Sequence, residues 1–128
     1  MQKVRTETSA HVLAVTVDLG KEPDVVSAVR KTVEAFGRIG VLVNNAGIRQ
    51  IAPVWQTDTA MWDRIHDANL NGQFLCTREV LNQSMLSAGE GTLIFVSSGS
   101  GRNGEEDSPR TVRRNGASSA SRSRWQKT

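Results

Sequence analysis

The stretch Val41-Leu42-Val43-Asn44-Asn45-Ala46-Gly47 passes from apolar residues to two asparagines, an alanine and a glycine. Its apolar half predicts a short strand buried on both faces, as in a parallel sheet. The polar half then lies at the carboxyl end of that strand, where open α/β sheets bind ligands. Glycine also lets the backbone approach a flat ligand closely. Taken alone, the four residues after the strand fit a tight turn better than a binding site.

Upstream, the pattern predicts a strand followed by a helix. Val12–Val17 is apolar and ends at Asp18-Leu19-Gly20. Pro23 suits the first turn of a helix, and Gly37 suits its end. Between them an apolar stripe recurs at spacings of four, four and three residues, formed by Val25, Val29, Val33 and Phe36. Strand, helix and strand in this order predict a crossover unit of a parallel sheet, and so an α/β fold.

Downstream, the pattern predicts a long helix and another strand. Thr57-Asp58 can cap a helix from about Thr59 to Ser87, with Gly89 stopping it. Gly91–Val96 then reads as a strand, followed by a serine- and glycine-rich run that includes Ser98. Such a run is usually a flexible loop. Its position after a buried strand, level with Asn45, makes Ser98 a candidate active-site hydroxyl.

Two residues of the predicted long helix stand out. Asn69 falls on the same face as Trp62 and Ile65, so its amide points at the core and needs hydrogen-bonding partners. It is either a satisfied core asparagine or a functional one. Gly72 costs about 0.8–1.0 kcal/mol of helix propensity relative to alanine. That cost indicates close approach of another backbone, or a kink.

The run from Phe36 to Ile48 closely resembles the segment around the fourth strand of the short-chain dehydrogenase/reductase family. Asp18 lies 27 residues before Asn45, and Asn69 lies 24 residues after it, as in the family, and Ser98 follows the next strand in the place of the family's serine. The resemblance extends over residues 9–104. It implies a partial Rossmann-like, doubly wound parallel sheet containing the third to fifth strands of the family.

The resemblance also implies chemistry. Members of this family bind NAD or NADP and move a hydride between nicotinamide and a small carbonyl or alcohol substrate; no metal is expected. It assigns Ser98 to holding the substrate oxygen and Asn69 to holding a water for proton relay. The cofactor contacts fall to five residues, two against the adenine and three along the ribose side: Asp18 and Leu19, then Asn45, Ala46 and Gly47.

Two parts of the family pattern are missing from the sequence. No glycine-rich turn precedes Asp18, and the chain contains no tyrosine, the residue that donates the proton in the family. We therefore expect a fragment truncated at its N-terminus and inactive on its own. The alternative is a non-catalytic remnant of a dinucleotide site, or an interaction fragment that associates with intact relatives through helix 59–87. An unrelated doubly wound binding domain is less favoured.

The tail from residue 105 to 128 differs from the rest. Residues 1–98 carry 9 basic and 10 acidic side chains, whereas residues 99–128 carry 7 and 3. With little apolar content, the tail is expected to be disordered, and a solvated tail is favoured over a nucleic-acid contact. Regrouping its codons by one base can give Tyr at Arg110/Thr111 and Lys at Arg114/Asn115, four codons later. We interpret the tail as the product of a frameshift near Gly104.

Length and composition set the remaining bounds. The 128 residues fit one domain, here residues 1–104. There is no apolar run of membrane-spanning length and no signal-peptide pattern. The single cysteine, Cys76, is compatible with a reducing compartment, so a cytoplasmic location is expected. In the family's strand order the strand at 12–17 is two strands away from that at 41–43, so we expect exposed edges and marginal stability.

Overall fold

The computed structural model describes residues 10–98 and the backbone of residues 123–126. It has helices on one side of a three-stranded sheet of order β1-β2-β3. In chain order the elements are α1 (Glu22–Phe36), β1 (Val41–Asn44), a 3-10 turn (Val54–Gln56), α2 (Thr59–His66), a π-helical segment (Asp67–Asn71), α3 (Gly72–Val80), a second π-helical segment (Leu81–Met85), α4 (Leu86–Ala88), β2 (Glu90–Phe95) and β3 (Ser123–Gln126).

Helix α1 begins and ends where its sequence predicts. Pro23 lies in its first turn, where the missing N–H has no intrahelical partner to lose. Gly37 follows its last residue at φ 79°, and its N–H donates to Val33 C=O at 2.7 Å. Val25 and Val29 of the apolar stripe are buried, whereas Phe36 at the end is exposed.

Helices α2 to α4 and the two π-helical segments form one continuous helix over residues 59–88, called the long helix below. Asp58 caps it by accepting a hydrogen bond from Met61 N–H at 2.6 Å. Gly89 ends it in the left-handed conformation at φ 74°, which glycine adopts without strain. The predicted helix is therefore confirmed at both ends, and the π-helical segments are the feature that its periodicity did not predict.

Strands β1 and β2 pair in parallel, with Val41 opposite Thr92 and Asn44 opposite Phe95. The parallel sheet that the sequence predicts is confirmed by this pair. The expectation that β1 is buried on both faces is wrong, because Val41 and Val43 are 56% and 52% exposed. The described helices cover only the face that carries Leu42 and Asn44, so the other face of β1 meets solvent.

The predicted strand at Val12–Val17 does not form. The described sheet contains only β1, β2 and β3, and residues 11–18 have no regular secondary structure. A strand needs a hydrogen-bonded neighbour, and β1 does not lie beside this segment, as expected from the family's strand order. The segment is instead held by packing, since Val17 and Leu19 contact the core.

Most of the tail predicted to be disordered lies outside the described residues. Within it, β3 pairs antiparallel with β2, with Glu90 opposite Gln126 and Leu93 opposite Ser123. These four residues differ from the expectation of an unstructured tail. The free edge of β2 accounts for the difference, because its unpaired N–H and C=O groups can bind any extended segment. The domain boundary near residue 104 stays a prediction.

The core lies between α1, the long helix and the covered face of the sheet. Its buried members are Val25, Val29, Val80, Met85 and Leu93. Gly91 makes room for one of them, since a Cβ there would overlap Met85 Sδ. One layer of helices packed on one face of the sheet fits a partial Rossmann-like α/β fold. This packing also positions the loops at the carboxyl ends of β1 and β2.

Candidate functional site

Two candidate residues follow the sheet at the same edge. Val96 N–H donates to Asn44 C=O at 2.9 Å, which extends the pairing of β1 and β2 to their carboxyl ends. Asn45 comes directly after β1, and Ser98 follows soon after β2. Ligands of open α/β sheets bind at this edge, so the sheet carries both residues to the side where a site is expected.

Asn69 ties the long helix to the loop that follows β1. Its side chain is 1% exposed. Its Oδ1 accepts from Ile48 N–H at 2.6 Å, and its Nδ2 donates to Ile48 C=O at 2.8 Å. Both functions of the amide are thus used by one backbone residue. The side chain is a satisfied core amide, and its position next to Gly47 makes it the clamp of the candidate turn.

Gly72 allows the long helix to contact the other predicted half of the site. A Cβ at Gly72 would lie 2.8 Å from Leu19 Cβ and 3.1 Å from Leu19 C=O. Gly72 also follows the π-helical segment directly, and its N–H donates to Asp67 C=O. Of the two alternatives expected for this glycine, a close backbone approach or a kink, the structure shows the close approach, at Leu19.

Asp18 is held at the entrance to α1. Its Oδ1 accepts from Gly20 N–H at 3.1 Å, and its C=O accepts from Lys21 N–H at 3.0 Å. Lys21 Nζ lies 3.7 Å from Oδ2, with both side chains largely exposed. The turn therefore fixes the orientation of the carboxylate, while most of the charge stays open to solvent or to a ligand.

A cleft of about 850 Å³ brings the two predicted halves together. Asp18 and Leu19 form one part of its wall, and Ala46 and Gly47 form another. The long helix closes it from a third direction. The remaining residues of the wall are Val17, Gly20, Lys21, Ile48, Ala60, Asp63, Arg64, Asp67 and Ala68. Four of the seven predicted site residues thus line one cleft.

The other three predicted residues do not line this cleft. Asn45 is exposed next to it, and Asn69 is buried behind Ile48. Ser98 is exposed after β2. The residues that follow Ser98 in the loop lie outside the described part of the chain.

The sequence reasoning missed two features of the site. Asn44 is buried, and its Nδ2 donates to Thr77 Oγ1 at 3.1 Å, which fastens the end of β1 to the long helix. Asp63 and Asp67 line the cleft from the helix. Their spacing of four residues places them on one helical face, which is visible in the sequence, whereas the contact of that face with the turn at Asp18 and Leu19 depends on tertiary packing.

The charges on the cleft wall are mixed. Three carboxylates, those of Asp18, Asp63 and Asp67, face two cations, Lys21 and Arg64. Asp67 Oδ1 also accepts from Asn71 Nδ2 at 2.7 Å. With acceptors in excess of fixed cations, this wall favours a neutral donor group, such as a hydroxyl or the amino group of an aromatic base, over a phosphate.

Cys76 belongs to the core rather than to the cleft. It packs against the buried cluster, and this burial raises the pKa of its thiol. A thiol that stays protonated is a weak nucleophile. The structure therefore gives Cys76 a packing role.

Clusters of metal ligands and membrane-spanning helices are both absent from the described part of the chain. Within residues 10–98 no three His, Cys, Asp or Glu side chains come together as metal ligands. Among the helices that the structure describes, none is both long and apolar enough to span a bilayer.

Comparison with known proteins agrees with the landmarks. The sequence model of the short chain dehydrogenase family matches residues 1–109. The (2S)-[(R)-hydroxy(phenyl)methyl]succinyl-CoA dehydrogenase subunit BbsD of Thauera aromatica is 37% identical over 87 residues, which are 68% of this chain and 35% of that protein. An uncharacterized oxidoreductase of Thermotoga maritima is 32% identical over 97 residues, 76% of this chain and 38% of that protein. The short chain dehydrogenase mpl6 of Monascus purpureus is 38% identical over 88 residues, 68% of this chain and 30% of that protein.

The matched region thus spans between 30% and 38% of the length of these curated relatives. The family match covers the strand-and-turn stretch, the long helix and the serine after β2. Four of the residues that the family pattern singles out line one cleft. Because the family match covers most of the sequence, the chain belongs to the short-chain dehydrogenase/reductase family of oxidoreductases.

Proposed function

We propose that the chain carries the adenosine-binding part of an NAD or NADP site, in an enzyme that moves a hydride between nicotinamide and a small carbonyl or alcohol substrate. The observation that supports this most directly is the cleft between Asp18-Leu19 and Ala46-Gly47. The carboxylate of Asp18 accepts hydrogen bonds from amino or hydroxyl groups, and the two small residues leave a flat wall opposite it.

The residues of the cleft fit the adenosine part of the cofactor better than its phosphates. Gly20 N–H donates to Oδ1 of Asp18 and Lys21 Nζ lies 3.7 Å from Oδ2, and the exposed carboxylate keeps further acceptor capacity for a ligand donor. Asp63 and Asp67 add negative charge nearby, which disfavours a pyrophosphate. When bound in the complete enzyme, the cofactor supplies or accepts the hydride.

The catalytic roles are also proposals. Ser98 holds the oxygen of the substrate after β2. Asn69 acts by position, because its side chain holds Ile48 at both backbone groups and so fixes the turn Asn45–Ala46–Gly47 along the ribose. The chain contains no tyrosine to protonate the alkoxide, and we propose that it does not turn over substrate by itself.

Titration calorimetry with NADH, NADPH and ADP tests the binding part. All three ligands share the adenosine group, so measurable binding of all three is the expected result. Replacing Asp18 by Ala (D18A) should weaken binding about tenfold or more, since a hydrogen bond to a charged group contributes about 1.5–3 kcal/mol. Glu34 is the matched control, because it is an exposed acid paired with Arg30 far from the cleft. Equal loss in E34A, or no binding by the unmodified chain, contradicts the proposal.

A second candidate function is association with intact relatives. Phe74 is 61% exposed on the long helix, and Leu70 beside it is 36% exposed. The Arg78 guanidinium lies 5.5 Å from the centre of the Phe74 ring. An exposed aromatic with a neighbouring cation is typical of a helix that packs against another chain. This supports an interaction fragment whose partner presents a similar helix.

A further inference from the structure

Gln73 carries a buried hydrogen-bond donor that has no partner among the residues that the structure describes. The side chain is 5% exposed, and its Nε2 forms no hydrogen bond within the described residues. Two other buried side-chain atoms share that condition, Gln50 Oε1 and His66 Nε2, but both residues are only half-buried. An unpaired donor this deep in a helix–sheet contact lowers stability, so its presence calls for a physical reason.

The neighbours of Gln73 on the helix define what it faces. One turn before it, Asn69 bonds to the backbone of Ile48. One turn after it, Thr77 accepts from the side chain of Asn44. Residues four apart lie on one helical face, so the same face holds the chain just before and just after the turn at residues 45–47. Gln73 lies between these two attachments, level with the turn itself.

We propose that Gln73 is a positioning residue for that turn: its Nε2–H donates to a backbone carbonyl of residues 45–47 when a dinucleotide occupies the cleft. The inference rests on the proposed cofactor binding. Asn44 and Ile48, at the two ends of the turn, are fixed to the long helix. The peptide groups of residues 45–47 between these ends can still change orientation. A ligand against Ala46 and Gly47 favours the orientation in which a carbonyl turns away from the cleft, toward the helix. The donor of Gln73 is then satisfied only in the liganded protein, and this coupling strengthens ligand binding.

Replacing Gln73 by Met tests this, because methionine has a similar length and no donor. Gln83→Met is the matched control: Gln83 lies on the same helix, and its Nε2 donates to Glu79 at 3.1 Å. We expect Q73M to keep or raise the melting temperature of the free protein and to weaken NADH binding about three- to tenfold, the equivalent of one hydrogen bond. Q83M should lower the melting temperature and leave NADH affinity unchanged.

Amide hydrogen exchange on the unmodified chain gives a measurement that needs no variant. NADH should slow exchange of the Gln73 side-chain amide protons. In Q73M, NADH should protect the amides of residues 45–47 less than in the unmodified chain. If the unmodified chain binds NADH and Q73M binds it equally well, the role of Gln73 is refuted and cofactor binding stands. A fall in melting temperature as large as that of Q83M also refutes it, because the donor then has a partner in the free protein. Absence of NADH binding by the unmodified chain refutes both proposals.

Discussion

The side chain of Asn69 bonds to both backbone groups of Ile48: its Oδ1 accepts from Ile48 N–H at 2.6 Å, and its Nδ2 donates to Ile48 C=O at 2.8 Å. The pair connects the centre of the long helix to the residue that follows Gly47. These two hydrogen bonds therefore fix the turn at the edge of the cleft to the buried side of the long helix. The side chain that the family resemblance assigns to proton relay thus uses its carbonyl oxygen and one of its N–H groups to hold the backbone.

Asn69→Ala should therefore destabilise the protein rather than only lower activity. It removes two hydrogen bonds and leaves a half-buried N–H and C=O unpaired, at roughly 1–3 kcal/mol in total. Urea denaturation measures the loss. Asn71→Ala is the control, since Asn71 is exposed and bonds only to Asp67 among the described residues; it should cost less than about 0.5 kcal/mol. An equal effect of the two substitutions would argue against the clamp.

Gly72→Ala should also destabilise, although alanine is the better helix former. The gain in helix propensity is at most about 1 kcal/mol. Against it, the new Cβ lies 2.8 Å from Leu19 Cβ and 3.1 Å from Leu19 C=O, and overpacking of this kind costs about 1–3 kcal/mol. A thermal melt is the measurement, with Asn82→Ala on the exposed side of the same helix as the control. A G72A protein that melts higher than the unmodified chain contradicts the close contact.

These two positions show how far the sequence leads. Asn69 is a polar residue that faces the core, and Gly72 is a glycine inside a helix. Both are unusual for an amphipathic helix, and each has a specific partner in the structure. Their residue types, at those places in the helical pattern, identified them. The partners, Ile48 and Leu19, could not be read from the pattern, because they come from loops whose path depends on tertiary packing.

The prediction that failed has a related cause. Val12–Val17 has the composition of a strand, but strand formation depends on a hydrogen-bonded neighbour and not on composition alone. β1 pairs only with β2 among the described residues, so the segment packs on the core through Val17 instead. The exposed face of β1 also depends on tertiary packing. The composition of Val41 and Val43 predicts burial, but the described helices cover the opposite face of the strand.

Phe74→Asp should abolish any self-association of the chain, or its association with an intact relative. The substitution places a charge in the middle of an exposed apolar contact, and a buried unpaired charge disfavours the complex strongly. Sedimentation velocity of the chain, alone and mixed with an intact member of the family, is the measurement. Trp55, 79% exposed on the 3-10 turn, provides the control as W55D, which should leave association unchanged. Unchanged association of F74D would exclude this face.

Cys76 predicts a loss of stability at alkaline pH. Burial raises the pKa of its thiol in the folded protein above that in the unfolded chain. The folded state therefore binds the proton more tightly, and the stability due to this difference is complete below the unfolded pKa and is lost as pH rises toward the folded pKa. Melting temperatures across this range should fall more steeply for the unmodified chain than for C76A. Parallel curves would mean that the thiol is not shielded in solution.

In a shifted reading frame, the DNA beyond Ser98 should encode the tyrosine that donates the proton in the family. The family match ends at residue 109, close to the position near Gly104 where the tail loses its apolar pattern. If a frameshift lies there, the shifted frame encodes Tyr at Arg110/Thr111 and Lys four codons later, and continues into a further helix and strand. A protein expressed from the repaired frame, with a family-type strand and glycine-rich turn added before Asp18, should then reduce carbonyl substrates with NADH or NADPH. Changing the new tyrosine to Phe should remove that activity, because the alkoxide loses its proton source. A nucleotide sequence without those two codons would mean that the tail is genuine, and the interaction fragment then becomes the preferred function.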